Sequence, residues 1–298
     1  MADLTKCQER SDTRERRTHN ANMTAENSNS PVTLVTGAGR GIGRAVAVRL
    51  AREGHRLGLV ARSAGELATT VELAGAAGAD ALAVAGDITD PAAVDRVCAA
   101  VERGLGPVEV LVNNAGYFGA VGTFLDSDPG QWWRVLETNL RGPALLDHRL
   151  LPGMLARGHG RVITVNSLAA VVDDPVTGSC GYAVSKAAVL RLDAALAREL
   201  AGTGVRVFSI SPGLVRTAMS KLRPDIDELP DEAFVPAALA ADRIAALATG
   251  RYDALHGRFL HARDDFDALL ESVAGQPKAR TLTILPSGPA DPVFPRQS

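Results

Sequence analysis

Tyr182 and Lys186, in the run Gly181-Tyr-Ala-Val-Ser-Lys186, are four residues apart at the head of a segment, 187–197, that reads as a helix. On a helix, positions i and i+4 share a face, which makes the phenol and the ammonium neighbours. A free tyrosine, with a pKa near ~10, is a poor proton donor at neutral pH. A cation about 4 Å away in a partly screened site favours the phenolate by up to about 4 kcal/mol. That is roughly three pKa units, enough to make Tyr182 a usable acid or base. The bland alternative is a half-buried tyrosine beside a snorkelling lysine. The spacing alone does not decide between them, so the elements around the pair have to.

Those elements alternate. Short apolar runs at 32–36, 56–61, 81–85, 108–112, 161–165, 205–210 and 257–260 have the composition of buried strands. Amphipathic stretches at 42–52, 64–77, 91–103 and about 129–156, and the Tyr–Lys segment, separate them. Asp90 and Pro91 supply an N-cap and a first-turn proline. Near-continuous apolar strands divided by helices imply a parallel sheet covered on both faces. With right-handed crossovers, the fold class is α/β: a Rossmann-like doubly wound sheet of about seven strands in a single domain.

The run Thr36-Gly-Ala-Gly-Arg-Gly-Ile-Gly43 joins the first strand to the first helix. Gly37, Gly41 and Gly43 allow a tight turn and close approach of a ligand, and the helix N-terminus beyond them suits a pyrophosphate. The spacing is Gly-x-x-x-Gly-x-Gly, with Arg40 and Ile42 in between. The second strand ends Val60-Ala61-Arg62 with no carboxylate to hold a ribose 2′-hydroxyl. Arg40 and Arg62 instead suit a 2′-phosphate, so NADP(H) is expected in preference to NAD(H).

With these residues in order, the chain resembles the short-chain dehydrogenases/reductases, in their compact branch, over about 31–270. The glycine loop resembles that family's cofactor loop. By the same resemblance Asp87, with Ile88 beside it, contacts the adenine; Asn113-Asn-Ala115-Gly116 stabilises the sheet and lines the cofactor; and Pro212-Gly213, Val215 and Thr217 embrace the nicotinamide. Asn139, Ser167, Tyr182 and Lys186 match the catalytic positions. The resemblance implies that Ser167 and Tyr182 hold a substrate carbonyl, that Tyr182 transfers the proton, that Lys186 tunes the tyrosine and binds the ribose, and that Asn139 holds a water which refills the proton. A homodimer or homotetramer is implied by the same analogy. Two departures stand out. Ser167 and Tyr182 are separated by a loop carrying Asp173-Asp174-Pro175, and His256 to Phe266 replaces a frequent Asp-Gly-Gly ending.

Composition sets the outer bounds. The chain has 298 residues, is 46% hydrophobic and 22% charged, and carries a net charge of −2, which gives no reason to expect a nucleic-acid partner. Three scattered cysteines argue for a reducing compartment, and no apolar run is long enough for a membrane span, so a cytoplasmic protein is expected. Residues 1–30 read as a disordered polar tail, 31–275 as the catalytic domain, and 276–298 as a Pro/Gly-rich extension in which 281–285 has strand character. The histidines show no ligand spacing, and no metal is expected. Residues 218–235 read as a lid over the pocket. Trp132 and Trp133 read as packing or contact residues, with substrate stacking as the lesser alternative.

The activity these features imply is hydride transfer between NADP(H) and a small-molecule carbonyl or secondary alcohol. A dehydratase or epimerase that retains its nucleotide, and a non-catalytic nucleotide sensor on the same fold, are the alternatives.

Overall fold

The computed structural model describes residues 30–172, 179–223, 226, 228–276 and 278–281. Most of the polar tail, the Asp173-Asp174-Pro175 loop and the strand-like 282–285 lie outside them.

Seven parallel strands form one sheet in the order β3-β2-β1-β4-β5-β6-β7. They are β1 (Val32–Thr36), β2 (Arg56–Ala61), β3 (Ala81–Ala85), β4 (Val108–Asn113), β5 (Gly160–Val165), β6 (Val205–Ser211) and β7 (Phe259–His261). This is the Rossmann-like doubly wound architecture expected from the alternation of runs. The strand order reverses between β1 and β4, so the chain ends leaving these two strands diverge and open a crevice.

The helices fall on the two faces. On one, α1 (Gly41–Arg52), α2 (Ala64–Ala76), α7 (Ala237–Ala248) and α8 (Phe266–Val273) bury Val46, Leu50, Leu67, Ile244 and Phe266 against Val112, Ile163, Phe208 and Ile210. On the other, α3 (Pro91–Leu105), α5 (Gly142–Arg157) and α6 (Cys180–Glu199) pack Val97, Leu146, Leu150, Met154 and Ala197 on Leu111, Val162 and Val207. Each such apolar side chain contributes roughly 1.5–3 kcal/mol when fully buried.

Side chains cap most helix starts. Ser63 accepts from the Glu66 amide, Asp90 from Ala92, Asp128 from Gln131 at the head of α4 (Pro129–Leu136), and Ser179 from Tyr182. α1 differs: Arg40 occupies its N-cap without a side-chain bond, and its first turn has no acid.

The helices expected over about 129–156 are α4 and α5, joined by a π turn over Glu137–Arg141, where bonds of wider span replace the α ladder. Two elements depart from the sequence expectation. The last strand begins two residues later than expected, at Phe259. α8 follows it, capped by Asp265, and residues 278–281 then turn back so that the Phe259 amide donates to the Arg280 carbonyl at 2.7 Å.

Candidate active site

At the C-terminal ends of β1 and β4 the glycine loop is held by direct bonds. The Thr36 hydroxyl accepts from the amides of Asn114 and Ala115, both at 3.0 Å. The Asn114 side chain donates to the carbonyls of Thr36 at 2.8 Å and Gly37 at 3.3 Å. A Cβ on Gly43 would stand 2.3 Å from the Gly37 carbonyl oxygen, so only glycine fits there. Gly37 and Gly41 adopt positive φ, of 63° and 56°. The uncapped N-terminus of α1 and this hollow of glycine backbone fit a pyrophosphate, because amides point into the space without a competing side-chain acceptor.

The other residues expected to hold the cofactor border the crevice to different degrees. Thr217 faces Gly41, and the Met219 methyl faces Gly116. Gly213 has φ of 74° and lies close to Val235 and His261. Val215 is buried with Val235, Ala240 and Ala262, and Ile42 packs against them. The Asp87 carboxylate is tied to the Thr89 amide and hydroxyl at 2.9 and 2.8 Å. Burial opposes its charge, but the Thr89 bonds and the cations Arg62 and Arg134 outweigh that and leave its pKa below the ordinary value. Arg62 is exposed, and Arg40 is exposed and paired to Glu66 at 3.4 Å.

Two of the expected cofactor side chains point elsewhere. Asn113 is buried on the α5 side of β4 and donates to Asp147 at 3.0 Å, away from the glycine loop; the neighbouring Asn114 faces the loop instead. Alternation along a strand puts successive side chains on opposite faces, so only one of the two asparagines can serve the crevice. Ile88 is likewise buried against Gly142 of α5.

The four residues matched to catalysis converge. Ser167 ends the β5 connection, and its side chain is hydrogen-bonded to that of Tyr182. Lys186 is buried; its Nζ donates to the Val165 carbonyl at 2.8 Å and lies 5.7 Å from the centre of the Tyr182 ring. Asn139, in the π turn, accepts from the Tyr117 amide at 2.8 Å and donates to the Tyr117 carbonyl and to Ser185 Oγ, both at 2.9 Å. Its side chain is therefore a clamp between the β4 loop and α6. The Phe118 ring packs against that of Tyr182 with centres 4.8 Å apart, tilted by 41°.

One expectation about this cluster is corrected. Lys186 was expected to draw Tyr182 towards neutrality, but the phenol is held above its ordinary pKa. Burial is the main cause, partly offset by the Ser167 bond and the charge of Arg223. The ammonium is anchored at the end of β5, over the ring face rather than at the phenol oxygen. Burial also lowers Lys186 itself to about 8, with Asp193 opposing.

Beside the head of α6 is a cavity of about 290 Å³, lined in part by Val121, Phe124, Trp132, Val135 and Cys180. Trp132 meets Phe124 and Trp133 edge-on, and its indole edge is tight against Gly181. The residues 218–235 expected as a lid are pinned at their far end. There the Val235 amide donates to the Leu214 carbonyl at 2.7 Å, and Arg216 stacks on Phe234 and pairs with Asp231.

Sequence reasoning passed over Phe118, Ser185 and two buried acids, Asp147 and Asp193. Asp193 carried a signal: it is seven residues beyond Lys186, on the same buried face of the helix. Among the described residues no group of three His, Cys, Asp or Glu side chains could hold a metal, and no helix is long and apolar enough to cross a membrane.

A doubly wound parallel sheet with a glycine hollow at its switch point, and a Ser–Tyr–Lys cluster across the crevice, defines a nucleotide-binding α/β protein with acid–base groups at its mouth. The sequence profile of the short chain dehydrogenase family matches residues 31–227, and the chain belongs to that family. A short chain dehydrogenase of Pseudocercospora fijiensis is 36% identical over 80% of this chain and 82% of its own length. The 2-(R)-hydroxypropyl-CoM dehydrogenase of Xanthobacter autotrophicus is 36% identical over 74% of this chain and 91% of its own. A crystal structure of an actinorhodin polyketide ketoreductase variant with NADPH superposes with a TM-score of 0.72 at 32% identity, covering 78% of this chain and 96% of that one.

Proposed function

We propose that this oxidoreductase transfers a hydride between NADP(H) and a carbonyl or secondary alcohol, with Tyr182 as the acid–base group. The observation that carries the reading is the convergence of Ser167, Tyr182 and Lys186 at the crevice mouth, opposite the glycine hollow. When bound, the nicotinamide supplies the hydride. Gly37, Gly41, Gly43 and the start of α1 hold the pyrophosphate, and Gly116, Pro212, Gly213, Val215 and Thr217 border the nicotinamide end. Asp87, the Ile88 and Asn113 backbones and Ala115 flank the adenosine side. Exposed Arg40 and Arg62 are available to a 2′-phosphate, and the NADPH-bound ketoreductase neighbour favours the same choice.

Ser167 and Tyr182 donate to the substrate oxygen, where negative charge develops during reduction, and Tyr182 delivers its proton there. A phenol held above its ordinary pKa is protonated at neutral pH, the form that reduction of a carbonyl requires. Asn139 keeps the β4 loop and α6 in register. The apolar cavity at Phe124 and Trp132 accommodates an apolar body on the substrate. A homo-oligomer through α5 and α6 is the matching assembly, supported by the exposed Leu155 and Val184 on those helices.

The test is Tyr182→Phe assayed on a carbonyl panel by NADPH absorbance, with cofactor affinity measured separately. Turnover is expected to vanish while NADPH binding persists. Full activity in the variant ends the acid–base assignment, and tighter binding of NADH than NADPH ends the cofactor assignment.

A further inference from the structure

Behind the catalytic cluster, one row of the sheet is polar where its neighbours are apolar. The register pairs Asn113 of β4 with Thr164 of β5, and Thr164 with Ser209 of β6. All three side chains lie on the α5/α6 face and are buried. Each strand was read as apolar, so a buried polar row needs partners.

The partners are two acids from the covering helices. Asp147 of α5 accepts from Asn113 at 3.0 Å. Asp193 of α6 accepts from the Thr164 hydroxyl at 2.9 Å and from Ser209. Asn166 donates to Ser209 at 2.9 Å and accepts from the amide of Ser167, so the row continues into the turn that carries the catalytic serine. Three buried oxygens in this cluster, Asn113 Oδ1, Asp147 Oδ2 and Asp193 Oδ2, find no donor. Two ionised carboxylates would leave all three as buried acceptors without a donor. Protonating an acid supplies the missing donor.

We propose that Asp193 is a positioning residue for the reaction, a carboxyl group buried behind Lys186 that steadies its ammonium, and that Asp147 is the competing acid that governs how fully Asp193 is ionised. This rests on the functional reading of Lys186 given above and goes beyond it. Tyr182, Lys186 and Asp193 follow one another at intervals of four and seven residues along a single face of α6. The charged groups bearing on the cluster are Lys186 and Tyr182 on α6, Asp147 on α5, and Arg223 after β6, which acts on Tyr182. The strands and the π turn face it with neutral Thr164, Asn166, Ser209 and Asn139. Burial, then the neighbouring Asp147, holds Asp193 well above the ordinary carboxylate range, while Lys186 pulls it down. Burial raises Asp147 to about 7. The two acids therefore oppose each other's ionisation, and Lys186 favours the charge on Asp193.

The test uses two variants with opposite expected signs. In the full-length protein without cofactor, carrying 13C-labelled lysine, the ε-carbon of Lys186 is followed with pH; Lys6, Lys221 and Lys278 are the other signals, and Lys186→Gln assigns the resonance. In D193N the Lys186 midpoint is expected to fall by about one unit, the scale of one charge several ångströms away in a partly screened interior. In D147N, where Asp193 has no competitor, it is expected to rise. The pH profile of carbonyl reduction should move with the same two signs. An unchanged midpoint in D193N, or shifts of one sign in both variants, overturns the proposal. Should D193N fail to fold, D147N decides alone: a rise supports the proposal, and a midpoint that stays or falls overturns it. The titration needs no turnover. A protein inactive on every carbonyl but showing the opposed shifts would therefore sink the reductase reading and leave the Asp193–Lys186 coupling standing.

Discussion

The two faces of the sheet use the same three strands for different purposes. Towards α1 and α7, β4 to β6 present Val112, Ile163 and Phe208, followed by Val165 and Ile210, all buried and apolar. Towards α5 and α6, the row one residue along is Asn113, Thr164 and Ser209, closed by Asp147 and Asp193. The first face is held by volume and contact. The second is held by hydrogen bonds whose donors depend on where protons sit. Tyr182 and Lys186 lie on the helix that covers the second face, so the protein's response to pH should be concentrated there.

The largest expected effect tests the apolar face. Phe208→Ala removes a fully buried ring and should cost about 3–5 kcal/mol, by the same amount at pH 5 and pH 8. Denaturant titration at both values checks this, and a cost that changed with pH would blur the contrast between the faces.

Next comes the slope of stability with pH. Burial raises Asp147 to about 7 in the folded protein, against an ordinary value of 3.8. A folded-state pKa above the unfolded one contributes stability that is complete below about 4 and is lost as pH rises through about 7. Asp147→Asn deletes this contribution. Across that window the wild type should lose up to about 1.4 kcal/mol per pH unit relative to the variant. Parallel stability curves for the two proteins would show that Asp147 does not titrate in this way.

The smallest effect belongs to a single bond of the polar row. Thr164→Val keeps the shape but removes one donor to Asp193, at an expected cost of about 1 kcal/mol. Denaturant titration of the variant beside the wild type checks this, and an unchanged midpoint would mean that the bond adds nothing to stability.

Much of the architecture was legible because parallel strands covered on both faces leave long apolar runs, and because a helix cap such as Asp90 uses a short polar side chain at a fixed position. The glycine loop was legible because Gly43 stands against another backbone carbonyl, a requirement no other residue meets. The π turn between α4 and α5 was not legible, since it keeps helical spacing while changing its span. Nor was the choice between Asn113 and Asn114. Strand alternation makes one of them face the crevice, but which one depends on register with β1 and β5.

By itself the sequence determined the order of strands and helices, the glycine hollow and the spacing of Tyr182, Lys186 and Asp193, since these depend on local periodicity and on which residues tolerate a given backbone. Only the tertiary structure decided what surrounds those side chains. It set Lys186 against the Val165 carbonyl, seated Phe118 on the Tyr182 ring and brought Asp147 to the polar row from a helix far along the chain. Burial and the approach of distant charges govern the protonation of Tyr182, Lys186 and both acids, and both are consequences of packing that the order of residues does not display.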